Sequence, residues 1–447
     1  MMAARLRRAV PYLILGVGFG LFLLYAFPGY TSSDSITQLE QARTHQYGDW
    51  HPPAMAALWT VVELAVRGPA GMLLLQGCLF LLGLYRILCR DFTDRSAAIL
   101  ASAIFLLPPI VAPMAVIWKD CQMAGFLLFG LSLVLDPRRP WRWGGVGLLI
   151  VGTAMRVNAL GATFPIFVCM FGFVVGGGAP RWKRVLLAVA LWLATVVSAL
   201  AINRAFTRVE MHPWHCSIAP EDIVGVLKTS RKYTDAELLQ VFEGTPLVVH
   251  QDIWGAARNA YSPTTWWYVT NGEGRVFDWP VTPEHRRALE HAWRTLVLGN
   301  PLSYVLHRGR MFGRVLALTN DPVFDAVWNV RLNMEQVGEP ETTGIQGAIG
   351  DGLKWLAAHT FLFRPHVYFV LALLFLPLAR RHADILGLLA SGLCYELTLV
   401  IAAPSPDFRY SHWMIVCTIL STVLLIRRRS GVAPANVSAL PTQSCST

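Results

Sequence analysis

The chain has 447 residues, of which 54% are hydrophobic and only 15% charged, with a formal net charge of +10. That balance excludes a single water-soluble domain and fits a protein that crosses a bilayer repeatedly. The basic excess does not point to nucleic acid either, because residues 204–361 hold 15 Lys plus Arg against 17 Asp plus Glu and the surplus cations flank apolar runs.

In chain order, residues 9–28, 68–88, 96–117, 121–136, 184–203, 362–379, 383–403 and 409–426 each approach the roughly 20 residues that cross a hydrocarbon core as a helix. The block 143–175 holds two more crossings if the chain turns at Arg156-Val157-Asn158, which makes ten spans. With a cytoplasmic start, Arg5, Arg7 and Arg8, Arg86, Arg90 and Arg95, Arg138, Arg139 and Arg142, Arg181, Lys183 and Arg184, Arg380 and Arg381, and Arg427 to Arg429 all fall on one side. That is the positive-inside pattern. The first apolar block is too long for a signal-peptide core and has no small-residue cleavage site after it, so it reads as a retained span.

The expected fold is therefore an all-α polytopic membrane protein. A seven-span N-terminal module occupies residues 1–203, with its first external loop at 29–67. An external, mostly helical domain follows at 204–361, then a three-span module at 362–430 and a disordered cytoplasmic tail at 431–447. Both termini are expected in the cytoplasm. Of eight cysteines, only Cys216 lies in the large external region and Cys445 in the tail, and no disulfide framework or zinc spacing emerges.

Within 204–361, Thr234-Asp-Ala-Glu237 has capping-box spacing and Thr282-Pro283 offers an N-cap followed by proline at the first helical position. That second helix is predicted to end at Gly299-Asn300, with another running from Pro301 towards Leu318. Tyr261 to Tyr268 is an aromatic loop. No repeat, Walker motif or strand-plus-GxGxxG arrangement supports nucleotide binding.

The chemistry-bearing residues gather at predicted span ends. Asp34, in the first external loop, is either a helix N-cap or a base that takes a proton from an attacking hydroxyl. Asp49-Trp50-His51-Pro52-Pro53 precedes a short apolar helix, 54–66, expected along the interface with Trp50 at headgroup level. His51 either caps that helix or binds a phosphate or orients an acid. Trp118-Lys119-Asp120, the Arg156/Asn158 turn and Pro406-Asp407-Phe408-Arg409-Tyr410 reach the same external face. Lys119, Arg156 and Arg409 are cations on the side that otherwise carries few, and together they suit a phosphate-bearing ligand. Trp266, Trp267, Tyr268, Trp279 and Trp293 either stack on sugar faces or serve as core and interfacial anchors. Arg308, Arg310 and Arg314 either touch lipid phosphates or form a solvated helix face. Glu396, inside the ninth span, either pairs structurally or faces the cavity.

The acidic first loop, the His-Pro-Pro on a juxtamembrane helix, the Lys-Asp, the Arg-x-Asn turn and the late Arg-Tyr together resemble the GT-C glycosyltransferases of the bacterial inner membrane. The similarity is to members of the dolichyl-phosphate-mannose and aminoarabinose-transferase types, and it covers residues 1 to about 180 and, more loosely, the last two spans. The resemblance implies a sugar taken from a polyprenyl-phosphate donor and passed, with inversion, to a cell-envelope lipid, polysaccharide or protein outside the cytoplasm. By the same resemblance Asp34 is the base, His51 shapes the donor side, Lys119 and Arg409 hold the carrier phosphate, and Asp49 and Asp120 are candidates for a second acid. Arg156, Asn158 and Tyr410 complete the expected substrate site. Asp34 is followed by Ser35 rather than by an adjacent second acid, so a divalent metal is possible but unsupported and no obligatory cofactor is expected. A flippase or transporter of lipid-linked or anionic substrates shares many spans and intramembrane charges. It should show two related halves, which this sequence does not.

Overall fold

The computed structural model describes residues 2–175, 178–230, 232–242, 245, 247–319, 323–332, 338–339 and 344–430, so the predicted disordered tail lies outside the described residues. Helices dominate: α1 (Met2–Ala26), α2 (Ser33–Thr44), α3 (Ala54–Glu63), α4 (Pro69–Leu88), α5 (Asp94–Phe105), α6 (Pro108–Met114), α7 (Lys119–Val134), α8 (Arg139–Met155), α9 (Ala159–Ile166) and α10 (Arg181–Phe206). The polar stretch that follows contains α11 (Ala219–Thr229), α12 (Asp235–Val241), α13 (Ile253–Ala260), α14 (Trp267–Thr270), α15 (Pro283–Ala292) and α16 (Pro301–Val315). A pair of two-residue strands, β1 (Arg331–Leu332) and β2 (Gly338–Glu339), leads to α17 (Gly344–His359), α18 (Pro365–Ala379), α19 (Ala383–Ala402) and α20 (His412–Arg429).

Among the described residues, five helical stretches are long and apolar enough to cross a membrane: Ala9–Ala26, Pro69–Leu88, Arg181–Phe206, Ala383–Ala402 and Phe408–Arg429. A sixth appears if α5 and α6 count as one span bent by 71°. The run 96–117 breaks there because Pro108 and Pro109 lack the N–H groups that would continue the ladder. The other four expected spans are shorter, with 16 residues in α7, 17 in α8, 15 in α18 and an apolar helical run over Ala159–Gly172 after the turn. The break predicted at Arg156-Val157-Asn158 is present, α8 ending at Met155 and α9 starting at Ala159.

Apolar packing among these helices forms one large core that includes Phe22, Phe80, Phe105, Leu128 and Trp413. Between α7 and α8 the backbones meet closely. A Cβ placed on Gly145 would stand 2.6 Å from the Gly130 carbonyl oxygen, so only glycine fits that contact. The last helix is tied at its far end, where Arg428 Nε donates to Asp91 Oδ1 at 2.9 Å and Nη2 to Asp384 Oδ2 at 2.7 Å.

The polar stretch has its own apolar cluster, with Ile223, Leu227, Leu238, Ile253, Phe277, Leu289 and Leu296 at its centre. Both predicted caps are there. The Thr234 N–H donates to Glu237 Oε2 at 2.7 Å, and the His285 N–H donates to Thr282 Oγ1 at 3.2 Å. Helix α16 starts at Pro301 as its sequence requires but stops at Val315, short of Leu318, where Ala317 turns to a φ of +52°. One of its arginines fastens this stretch to the apolar helices, Arg308 Nη1 donating to the Ala403 carbonyl at 3.0 Å.

Candidate functional site

A short extended segment, Tyr30–Thr31, aligns the site. On one side the Tyr30 N–H donates to the Ala115 carbonyl at 2.9 Å and the Ile117 N–H donates to the Tyr30 carbonyl at 2.9 Å; on the other the Thr31 N–H donates to the Val330 carbonyl at 3.2 Å. Helix α2 begins directly after it. Ser32 is its N-cap, with the Ser32 N–H donating to Ser35 Oγ at 3.1 Å. Ser35 Oγ in turn donates to the Ile117 carbonyl at 2.7 Å, and the Trp118 indole N–H donates to Ser32 Oγ at 2.9 Å. The serines therefore do the capping, and the first turn of α2 is fixed beside Lys119, at the start of α7. Asp34 is left free to reach across the chain.

Its carboxylate lies between residues from three other segments. Arg409 Nη1 donates to Asp34 Oδ2 at 2.9 Å, and His51 Nε2 stands 3.4 Å from Oδ1. Lys119 Nζ lies 2.5 Å from His51 Nδ1. An ammonium has only donors, so Nδ1 must accept and the imidazole carries its proton on Nε2, towards Asp34. Burial and the Lys119 charge hold His51 below the ordinary histidine value, which keeps the ring in that neutral tautomer. Burial alone would raise the Asp34 pKa, but Arg409, His51 and Lys119 outweigh it and hold the carboxyl well below the usual range. Asp34 is ionised and still 23% exposed, open to a cleft.

Arg409 is oriented from several sides. Its Nη2 donates to Asp407 Oδ2 at 3.0 Å, and its guanidinium lies 4.7 Å above the Trp118 ring. Asp34, His51, Lys119, Asp407, Arg409 and Tyr410 line a cleft of about 270 Å³, with Trp50 and Trp266 as its aromatic wall.

Other residues singled out from the sequence stand elsewhere. Asp120 is 1% exposed and takes a 2.6 Å contact from Arg156 Nη1, with the Tyr395 hydroxyl 3.3 Å from Oδ1. Arg156 also lies 4.5 Å over the Tyr410 ring, so this ion pair braces the cleft from behind and is already neutralised. Asp49 accepts from the Met211 backbone N–H and joins the first loop to the segment after α10. Asn158 is the N-cap residue of α9. Neither Asp49 nor Asn158 lines the cleft. Glu396 accepts from Ser411 Oγ at 2.7 Å deep in the helix packing. Of the aromatics, Trp266 reaches the cleft, whereas Trp293 donates to Asp222 at 2.9 Å inside the polar stretch.

Two acids went unselected. Asp407 sits inside the motif that drew attention to Arg409, and its proximity in sequence was the available signal. Asp325 has no local signal: it follows α16, faces Asp407, and lines a separate cavity of about 330 Å³ with Lys354 and Arg364. Burial and the Asp407 charge push its carboxyl up to about 6. Among the described residues no three His, Cys, Asp or Glu side chains gather as a metal-binding group.

The chain matches no protein-family model, no curated protein and no solved structure.

Proposed function

We propose that this chain is an integral membrane glycosyltransferase of GT-C type, which moves a sugar from a polyprenyl-phosphate donor to an envelope lipid, polysaccharide or protein outside the cytoplasm. The observation that carries the reading is an ionised carboxylate, Asp34, held within one cleft beside two cations, Arg409 and Lys119. In this proposal ten spans place the cleft on the extracytoplasmic side of a bacterial inner membrane, with residues 204–361 outside. The short α7, α8 and α18, and the apolar run that begins with α9, cross together with their neighbours.

A phosphate ester of this kind is already a leaving group, so the protein has three tasks: to align the substrates, to neutralise the departing phosphate and to take up the acceptor proton. Arg409 presents a planar fork to the phosphate and Lys119 a point charge. The acceptor hydroxyl attacks the anomeric carbon on the face opposite the phosphate and loses its proton to Asp34. The bond from the anomeric carbon to the phosphate oxygen breaks with its electron pair on the phosphate, and the configuration inverts.

The ion pairs of the substrate-free cleft have a place in this scheme. An arginine-bound carboxylate is a weak base, because its proton affinity is lowered by the neighbouring charge. A phosphate entering the cleft competes for Arg409 and Lys119, which relieves Asp34 of that field and raises its basicity when the acceptor needs it. Asp407 keeps hold of Arg409 during the exchange. Asp34→Asn should remove transfer from a polyprenyl-phosphate sugar while donor binding persists. Wild-type transfer by that folded variant would sink the base assignment. Arg409→Gln should act chiefly on donor use, and unchanged donor kinetics would remove it from the site.

A further inference from the structure

Sixteen tryptophans occur in the chain, and most of those inside the fold use the indole N–H there. Trp59 donates to the Gly68 carbonyl, Trp118 to Ser32, Trp192 to the Leu160 carbonyl, and Trp254 to the Tyr233 carbonyl. Trp279, Trp293, Trp328 and Trp413 likewise have acceptors. As with Trp214, no such bond is made by Trp50 and Trp266 among the described residues. Both are half-buried and both line the charged cleft.

They come from distant parts of the chain and meet at a tilt, their ring centroids 5.5 Å apart at 48°. Trp279 supports both from behind, 6.0 Å from Trp50 and 6.2 Å from Trp266, and is itself fixed by its bond to Asn271 Oδ1 at 3.2 Å. The result is an aromatic cluster on the cleft that Asp34, Lys119 and Arg409 also line. A membrane-interface anchor needs its ring in the headgroup layer; these rings instead line a cleft shared with carboxylates and cations.

Resting on the glycosyl-transfer reading, we infer that Trp50 and Trp266 form a pyranose subsite, in which one face of a sugar ring packs on the indoles while its hydroxyls meet their N–H groups and the charged side chains of the cleft. The C–H face of a pyranose is apolar and slightly positive, the complement of an indole face with its negative quadrupole. Two rings meeting at an angle cup a single pyranose rather than a flat base. The two tryptophans and Asp34 line the same cleft, which places a ring held there in the cavity that holds the carboxylate proposed to take up the proton.

The test uses the purified full chain in nanodiscs, with calorimetric binding of four probes: polyprenyl phosphate, polyprenyl-phosphoryl mannose or glucose, octyl glucoside and octyl alcohol. Wild type should bind the sugar-bearing lipid about tenfold more tightly than the bare one, a factor equal to about 1.4 kcal/mol. Trp266→Ala and Trp50→Ala should erase that preference while binding of bare polyprenyl phosphate stays unchanged, which also reports an intact fold. Trp266→Phe should retain part of it. A tryptophan-dependent preference for the glycosylated lipid assigns the subsite to the donor sugar. A tryptophan-dependent preference for octyl glucoside over octyl alcohol, without that lipid preference, assigns it to the acceptor. A sugar preference that survives both alanine variants, or no preference with any pair in the wild type, overturns the subsite. Failure of the bare polyprenyl phosphate to bind wild type is a separate result that strikes the proposed reaction, and the octyl pair still decides the aromatic wall.

Discussion

Two groups of charged residues in this chain are built from the same kinds of side chain and have opposite surroundings. In the cleft, Asp34, His51 and Arg409 share contacts of 2.9 and 3.4 Å, and Asp34 remains 23% exposed. In the polar stretch, Asp222, His307 and Arg308 share contacts of 2.7 and 3.5 Å, but Asp222 is 1% and His307 0% exposed. The second group is closed off further by the Trp293 N–H on Asp222 at 2.9 Å and the Ala403 carbonyl on Arg308 at 3.0 Å. Glu221 beside it is buried without a hydrogen-bond partner among the described residues, and burial pushes its carboxyl well above the ordinary range. An aspartate–histidine–arginine group is therefore no mark of a site by itself. Access distinguishes them: one group has cleft volume in front of its carboxylate, and the other has only protein.

The sharpest break of this comparison is kinetic. Asp34→Asn should lower transfer by roughly 10²–10⁴-fold, the range expected on loss of a general base. Its unfolding temperature in detergent should remain within a few degrees of wild type, since Asp407 still holds Arg409. Next comes stability. Arg308→Ala strands Asp222 in a dry interior and should cost about 3–5 kcal/mol, read by thermal or denaturant unfolding. Arg308→Leu combined with Asp222→Asn should recover much of that loss, because the stranded charge is then gone.

A smaller, pH-dependent effect tests the boundary between the cleft and the cavity behind it. Asp325 has a folded value of about 6 against an ordinary 3.8, so the fold favours its protonated form. Its stabilising contribution is complete below about pH 4 and is lost as pH rises through 6. Asp325→Asn should accordingly leave stability unchanged at pH 4 and raise it by about 1–2 kcal/mol at pH 8, in unfolding curves recorded at both values. Smallest of all is the peripheral pair of Arg43 and Glu63, 2.6 Å apart with Arg43 44% exposed. Arg43→Ala should shift stability by only about 0.2–1 kcal/mol and by less in high salt.

Local features were the legible ones. The caps at Thr234 and Thr282, the proline start at Pro301, the break after Met155 and the short helix from Ala54 all depend on residues within one turn of each other. Lys119 and Arg409 were singled out with Asp34 because each stands at the end of an apolar run on the same expected face. The structure brings those three together. Span length was harder to read, because hydropathy sums over prolines that bend a helix, as Pro108 does. Trp50 reads locally as an interfacial anchor, and only the arrival of Trp266 from another part of the chain turns it towards the cleft. Asp325 is the extreme case. Nothing near it in sequence marks it, and its environment is set by Asp407 from the far side of α17, α18 and α19.

The last helix has a consequence for biogenesis. Arg409 ahead of its start binds Asp34, and Arg428 near its end binds Asp91 and Asp384. During synthesis these three acids emerge earlier, and each meets its arginine only once the segment around α20 has left the ribosome. Until then these carboxylates lack their arginine, although His51 lies beside Asp34 and Arg90 beside Asp384, and the slot where Trp413 belongs is unfilled. Insertion of α20 discharges them together. A chain truncated before it should be short-lived in the membrane, whereas a full chain carries the arginines that close both ends.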